Sequence, residues 1–191
     1  MKKKPDRGMK KIILAIVILL SVGGLWIYND WEDRSVQKTI DQVIPQMMEE
    51  IVPNSNKEEK KDTLEIDGNE YIGCLSVPKL ELELPILAEW SDQNLKIAPC
   101  RYVGSVQENN LVLLGHNYKR HFGRLSRLKA GDTLTFTDVN GTVTEYEVKV
   151  QKTVAADAVE EITAGEYDLV LFTCNYDGNR RIAIECMQTQ K

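Results

Sequence analysis

One cysteine ends an apolar, β-branched run near the carboxyl end of the chain. The run is LVLFTC, Leu169 to Cys174, and a Gly-containing turn separates it from Arg180 and Arg181, which open a second strand-like run, RIAIEC. A thiol reacts as its thiolate, and a free cysteine with a pKa of about 8.5 is only a few per cent ionised at neutral pH. Cys174 therefore needs a neighbouring base or cation to act as a nucleophile.

The residues able to assist Cys174 are few. The chain has two histidines, and His116 follows the apolar run NLVLLG, where a strand end would place it at the edge of a sheet. Six residues separate Cys174 from Arg181, so a hairpin would set these two across from each other. Arginine is always charged and stabilises both a thiolate and a developing oxyanion. The set suits acyl transfer, although the spacing alone fits a core cysteine beside a solvated arginine equally well. We expect His121 to be a packing or surface histidine.

The remaining cysteines, Cys74, Cys100 and Cys186, are widely and irregularly spaced, and no C-x-x-C pair occurs. We expect them to be small buried side chains, and the spacing leaves open whether Cys100 or Cys186 joins a disulfide. Glu81 and Glu83 lie two apart on one strand face, where solvated carboxylates are more common than a calcium site. We expect no metal and no cofactor.

The elements that must position these residues are short strands from Leu64 onward. TLEIDGNEYIGCLSV reads as a hairpin with an Asp67-Gly68 turn, and GDTLTFTDVNGTVTEYEVKV as a second hairpin with a type I′ turn at Asn140-Gly141. PKLELELPIL alternates as a half-buried strand, NLVLLG reads as a buried one, and YDLVLFTC and RIAIECMQ are the last two. The pattern predicts a mainly β fold, a closed or nearly closed barrel of seven to eight strands, with short helices within 121–130 and 155–166.

The amino-terminal region has a different composition. Residues 1–11 carry a net charge of +5, and residues 12–28 contain no charge. A helix of that length roughly spans a bilayer core, and Trp26, Tyr28 and Trp31 cluster at its far end like an interfacial belt. We expect a transmembrane signal-anchor with a cytoplasmic amino terminus, in preference to a signal peptide cleaved near Ser21-Val22-Gly23. The remaining residues carry −10 in total, which disfavours nucleic-acid binding.

An amphipathic helix is predicted after the anchor, because Val36, Ile40, Val43, Ile44, Met47, Met48 and Ile51 recur at spacings of three and four. We expect Pro45 to kink or divide it. Residues 53–62 read as a charged linker. The predicted organisation is a basic tail at 1–11, an anchor at 12–28, a helix and linker at 29–63, and a β-barrel at 64–191.

Three ordered motifs resemble those of the sortases, the membrane-anchored cysteine transpeptidases of Gram-positive bacteria. VLFTC resembles the family's nucleophile motif, with Val170 where the family has threonine. LLGHNY resembles its histidine motif, and RIAIEC resembles the strand that begins with its arginine. The connecting phrases YIGCLSVPKLELELPIL and HFGRLSRLKAGDTLTF also match, so the resemblance covers about 64–191 and implies a sortase-type barrel. A class B or D enzyme fits best, without a clear assignment.

The resemblance implies a role for each site residue. Cys174 would be the nucleophile, His116 the general acid and base, and Arg181 the oxyanion ligand, with Arg180 as the alternative to Arg181. The implied substrates are secreted proteins with a Leu-Pro-x-Thr-Gly-like sorting signal, and the implied acceptor is an amine of a cell-wall precursor at the outer face of the membrane. Two alternatives are a pilus-polymerising sortase and an inactive sortase-like binding module.

Overall fold

The computed structural model describes residues 7–51, 61–174 and 178–189, apart from the side chains of Arg7 and residues 25–38. The chain divides into two units between Ser35 and Val36. In the first unit, helix α1 (Arg7–Ile51) exposes every apolar side chain described from Met9 to Val22. The predicted membrane span at 12–28 falls on this helix, and its last four side chains lie outside the described residues. Among the residues described, no helix has the length and apolar character needed to cross a bilayer.

The second unit begins with the remainder of α1. Val43, Met47 and Ile51 are buried at helical spacing, as the amphipathic pattern predicts. Pro45 lies inside α1 and does not divide it. Proline removes one backbone donor, and burial of the residues on both sides of it favours a continuous helix.

After α1, the described residues form nine strands and one short α-helix, and these nine strands belong to one sheet. The elements are β1 (Leu64–Ile66), β2 (Asn69–Val77), β3 (Leu82–Leu87), β4 (Cys100–Val103), β5 (Leu111–Leu114), β6 (Thr133–Asp138), β7 (Val143–Ala155), α2 (Val159–Thr163), β8 (Leu169–Cys174) and β9 (Arg180–Gln188). The strand order is β1-β2-β3-β4-β5-β8-β9-β7-β6, and β6 also pairs with β2. This last pairing closes β2 to β9 into an eight-stranded barrel, within the predicted seven to eight strands, and β1 is attached at its side.

The two predicted hairpin turns differ. Asp67 and Gly68 have φ values of 51° and 76°, which fit the predicted tight turn between β1 and β2. The type I′ prediction at Asn140-Gly141 is wrong, because Asn140 lies outside the left-handed region and the loop from Asp138 to Val143 has four residues. The Asp138 carboxylate accepts the backbone N–H groups of Asn140 and Thr142, and this stabilises the wider loop.

The barrel interior holds the main core, because alternate residues of each strand point inward. These residues include Leu75, Leu84, Ile86, Leu113, Phe136, Leu171 and Ile184. In β8, Leu169 and Leu171 belong to this core, whereas Val170 and Phe172 belong to a separate cluster on the outer face. Strand alternation therefore places Cys174 on the outer face of the barrel, at the end of β8.

Candidate active site

The hairpin of β8 and β9 brings Cys174 and Arg181 together. The two residues form the last cross-strand pair of the hairpin, and Arg181 Nη1 donates a hydrogen bond to Cys174 Sγ at 2.9 Å. Both side chains are partly buried. Because the charge of arginine is permanent, this contact places a fixed positive charge beside the sulfur. The pair can therefore supply a nucleophile and a cation at one point on the outer face.

Arg180 occupies a different environment. It pairs with Ala155 of β7, one position before the pair of Val154 and Arg181. Successive residues of a strand point to opposite faces, and Arg180 is exposed. The described contact to the sulfur comes from Arg181.

His116 lies two residues beyond the end of β5, at the same edge of the sheet. β5 runs parallel to β8, with Leu114 paired to Phe172, and the Gly115 N–H donates to the Phe172 carbonyl at 3.1 Å. Continued by two residues, this register brings His116 level with Cys174. The partly buried His116 ring stacks on Tyr118, with ring centroids 4.7 Å apart and an angle of 36°. The fold thus gathers all three sequence-predicted residues at the carboxyl ends of two neighbouring parallel strands.

The other three thiols are buried away from this edge. Burial raises the pKa of Cys74, Cys100 and Cys186 to about 12 each. All four cysteines are free, which answers the disulfide question left open by the spacing. The three buried thiols are therefore protonated at neutral pH and serve as apolar packing groups.

His121 is a packing histidine, as expected. It is fully buried, and its ring lies 5.7 Å from that of Tyr118. Burial, followed by the charge of His116, lowers the pKa of His121 from 6.5 to about 3. This side chain is therefore neutral at physiological pH. Tyr118 separates it from His116 in a short row of rings.

An apolar surface leads away from Cys174 along the outer face. Its buried part, here called the outer-face cluster, contains Val112, Val154, Ile162, Val170, Phe172 and Ala183. On one side the Tyr102 ring meets Phe172 edge-on at 5.4 Å, and Trp90 packs on Tyr102 at 5.5 Å. On the other side Ile162 of α2 covers the cluster. Together these residues form an apolar patch on the outer face, and its Phe172 lies two residues from Cys174 along β8.

Sequence reasoning missed the residues of this surface. Those outside β5, β7, β8 and β9 come from two stretches: Trp90 and Tyr102 lie in 88–103, and Ile162 lies in 156–167. Neither stretch has hydrophobic periodicity, so the sequence offers no signal that Trp90 packs on Tyr102 or that Ile162 shares a cluster with Phe172. Glu81 and Glu83 are exposed, and the described residues contain no group of three or more His, Cys, Asp or Glu side chains able to hold a metal ion.

Comparison with known proteins decides the family. The model of the Sortase domain family matches residues 75–189, which include Cys174, His116 and Arg181. The chain belongs to the sortase family. Sortases are cysteine transpeptidases, so at the family level the function is transpeptidation. Sortase A of Bacillus anthracis is 27% identical to this sortase over 184 residues, covering 84% of this chain and 85% of the relative.

Solved sortase structures share the fold. The sortase D5 transpeptidase of Clostridium perfringens superimposes with a TM-score of 0.64 at 16% identity, covering 81% of this chain and 98% of that one. Sortase C1 of Streptococcus suis gives a TM-score of 0.56 at 24% identity, covering 63% of this chain and 74% of that one. The sequence-based recognition of the family is thereby confirmed.

Proposed function

We propose that this sortase cleaves a sorting-signal peptide through a thioacyl-enzyme at Cys174 and transfers the acyl group to an amine. The observation that carries the proposal is the 2.9 Å hydrogen bond from Arg181 Nη1 to Cys174 Sγ at the turn end of the β8–β9 hairpin. A structural cysteine has no need of a permanent cation in contact with its sulfur, whereas a nucleophile does.

In the first step, the sulfur attacks the threonine carbonyl of a Leu-Pro-x-Thr-Gly-like signal. The C=O electron pair moves onto oxygen, and Arg181 hydrogen-bonds the resulting oxyanion. As the intermediate collapses, the Thr–Gly bond breaks and His116 gives a proton to the leaving amine. The product is a thioester on Cys174, and the reaction is divided into two easier halves.

In the second step, the neutral His116 accepts a proton from the incoming amine as it attacks the thioester. Sulfur leaves as the thiolate and an amide is formed. The same oxyanion position is occupied twice, so one arginine serves both halves. A donor of this kind is typically worth about 10²–10³ in rate. We infer that the acceptor is an amine of a cell-wall precursor; a lysine of a pilin is the alternative.

The outer-face cluster supports the same proposal, because its Phe172 lies two residues from Cys174 on the same face of β8 and apolar side chains surround it. We propose that the leucine and proline of the signal lie on it between the Trp90 and Tyr102 rings and α2. The sequence context of the substrate would then be read by side chains from 88–103 and 156–167.

We further propose that residues 12–28 attach the enzyme to a membrane, with the barrel on the outer side. The support is the exposure of all the large apolar side chains described between Ile12 and Val22, beside a basic flank at 1–11. Exposed apolar surface of that extent is costly in water. Full-length protein should sediment with membranes and resist carbonate washing, and a variant lacking residues 1–28 should be found in the supernatant.

The activity is tested with the full-length chain in mild detergent, a quenched Leu-Pro-x-Thr-Gly peptide library and a panel of amines, with products identified by mass spectrometry. Cys174→Ala, His116→Ala and Arg181→Ala should abolish the amine-linked product, and Arg180→Ala should retain it. Loss with Arg180→Ala instead would move the oxyanion role to that residue. A wild-type protein that cleaves no peptide and whose Cys174 is unreactive would favour the binding-module alternative. A pilin-derived lysine used in preference to small amines would favour the pilus-polymerising one.

A further inference from the structure

An ion pair with a buried carboxylate and a partly exposed lysine lies on the outer face of the barrel, away from the proposed catalytic residues. Lys152 of β7 contacts the Glu185 carboxylate at 2.5 Å, and the Glu185 side chain is only 4% exposed. Glu185 pairs with Val170 and Val150 on the two neighbouring strands, so its surroundings are largely apolar. An ion pair in such a place is weak evidence for stability, since desolvation offsets much of the attraction. A further role is therefore worth identifying.

The lysine also reaches the segment that connects β7 to β8. Lys152 Nζ donates a second hydrogen bond to the backbone carbonyl of Glu161 at 3.3 Å, and Glu161 lies in the five-residue helix α2. Glu185 thus holds Lys152, and Lys152 in turn holds the backbone of α2. Among the residues described, no side chain of α2 forms an ion pair with the barrel.

Helix α2 forms one border of the proposed substrate surface. Ile162, the residue after Glu161, is 2% exposed and packs in the outer-face cluster with Phe172. Phe172 precedes Cys174 by two positions on the same strand face. Glu185 itself lies four residues from Arg181, roughly 13 Å along β9. The ion pair can therefore affect the border of the surface without touching the reacting atoms.

We propose that Lys152 and Glu185 form a positioning pair that holds α2 in place and thereby sets the affinity for the acyl-donor peptide. The inference rests on the proposed function, because it assigns a residue pair to the donor side of the same reaction. With the pair removed, substrate binding must order the 156–167 segment, and the cost appears in KM. The chemical step at Cys174 is unchanged.

The test uses full-length protein in detergent with the best donor peptide. Lys152→Met alone would leave a buried carboxylate without a partner and could unfold the protein, so the informative variant is the double change Lys152→Met with Glu185→Leu. The matched control is Lys149→Met with Glu147→Leu, which removes an exposed pair, 2.6 Å apart, from the same strand. Lys152→Arg retains the cation and the donor and serves as the rescue variant.

The double variant should raise the donor KM about tenfold, a typical cost of poorly held binding groups, with kcat within about twofold of wild type. Hydrogen exchange should increase in 156–167 and not in β8. The control and Lys152→Arg should match wild type. An unchanged KM, or an equal loss in kcat, in a folded double variant would overturn the positioning role while leaving the transpeptidase intact. If the wild-type protein cleaves no donor peptide, the proposed function is wrong. In that case, equal hydrogen exchange of residues 156–167 in wild type and the double variant would still overturn the positioning role.

Discussion

Cys174 differs from the other three cysteines of this sortase in what surrounds its sulfur. Burial raises the pKa of Cys74, Cys100 and Cys186 to about 12, so at pH 7 about one molecule in 10⁵ carries a thiolate at each. Cys174 is partly exposed and accepts a hydrogen bond from Arg181. We expect native protein treated with iodoacetamide at pH 7 to gain one adduct, located at Cys174, by intact and peptide mass spectrometry.

Two variants control this labelling experiment. Cys174→Ala should gain no adduct until the protein is denatured, and Arg181→Ala should slow labelling because the charge in contact with the sulfur is lost. Labelling of Cys186 at the same rate as Cys174 would contradict the assignment of the reactive thiol.

The Cys174–Arg181 pairing could be predicted from sequence because it is local. Six intervening residues and two apolar runs fix a hairpin, and hairpin length sets the register. The preference for Arg181 over Arg180 has a weaker basis in the sequence: Arg181 directly precedes the apolar IAI run, and a shift of one residue turns a strand side chain to the opposite face. The contacts of Trp90, Tyr102 and Ile162 could not be predicted, because they join segments far apart in sequence that lack any periodic pattern.

His121 should make the stability of the protein depend on pH. Its pKa falls from 6.5 to about 3 on folding, so between these values the unfolded chain binds a proton that the folded chain does not. Stability from this group is complete above pH 6.5 and declines as the pH falls toward 3. From pH 7 to pH 5, wild type should lose about 2 kcal/mol more of its free energy of unfolding than His121→Phe. The check is urea denaturation of both proteins at the two pH values, and equal losses would contradict the prediction.

At the scale of elements, the end of β5 depends on the close approach of Gly115 to a ring. A Cβ at this position would lie 2.7 Å from the Phe122 side chain, which is fully buried. Gly115 directly precedes His116, so any shift of the backbone moves the imidazole. We expect Gly115→Ala to cost about 1–3 kcal/mol in stability and to reduce kcat at least tenfold, measured by denaturation and by peptide cleavage.

A double variant identifies the cause. Phe122→Leu vacates part of the space that the new methyl group needs, so Gly115→Ala combined with Phe122→Leu should lose less stability than the two single variants together. Additive losses would mean that the glycine is needed for another reason. The sequence signals the strand before Gly115 but not this contact, which depends on how the chain returns after His116.

At the scale of the whole catalytic unit, the barrel carries two separate hydrophobic clusters besides its interior core. One is the outer-face cluster, and the other is formed with the carboxyl-terminal part of α1. Val43, Met47 and Ile51 pack there with residues that include Leu64, Tyr71, Cys74 and Cys100. The amphipathic spacing of this helix was predicted from sequence, whereas its contact with the two thiols was not. The outer-face cluster and this one share no buried residue, and the partly buried Leu114 packs against both. We expect this one link to be too weak to couple them, so stability and catalysis should separate here.

Met47 tests that separation. Its side chain is fully buried, while the next residue, Met48, is 36% exposed. Met47→Ala should lower the free energy of unfolding by about 2–5 kcal/mol through lost burial and a cavity, and Met48→Ala should change it by no more than about 0.5 kcal/mol. At a temperature where both variants are folded, the rate of iodoacetamide labelling at Cys174 should equal that of wild type. A slower or faster rate in Met47→Ala would show that the helix and the β8–β9 hairpin are coupled through the barrel, and equal stabilities of the two variants would show that α1 does not depend on this contact.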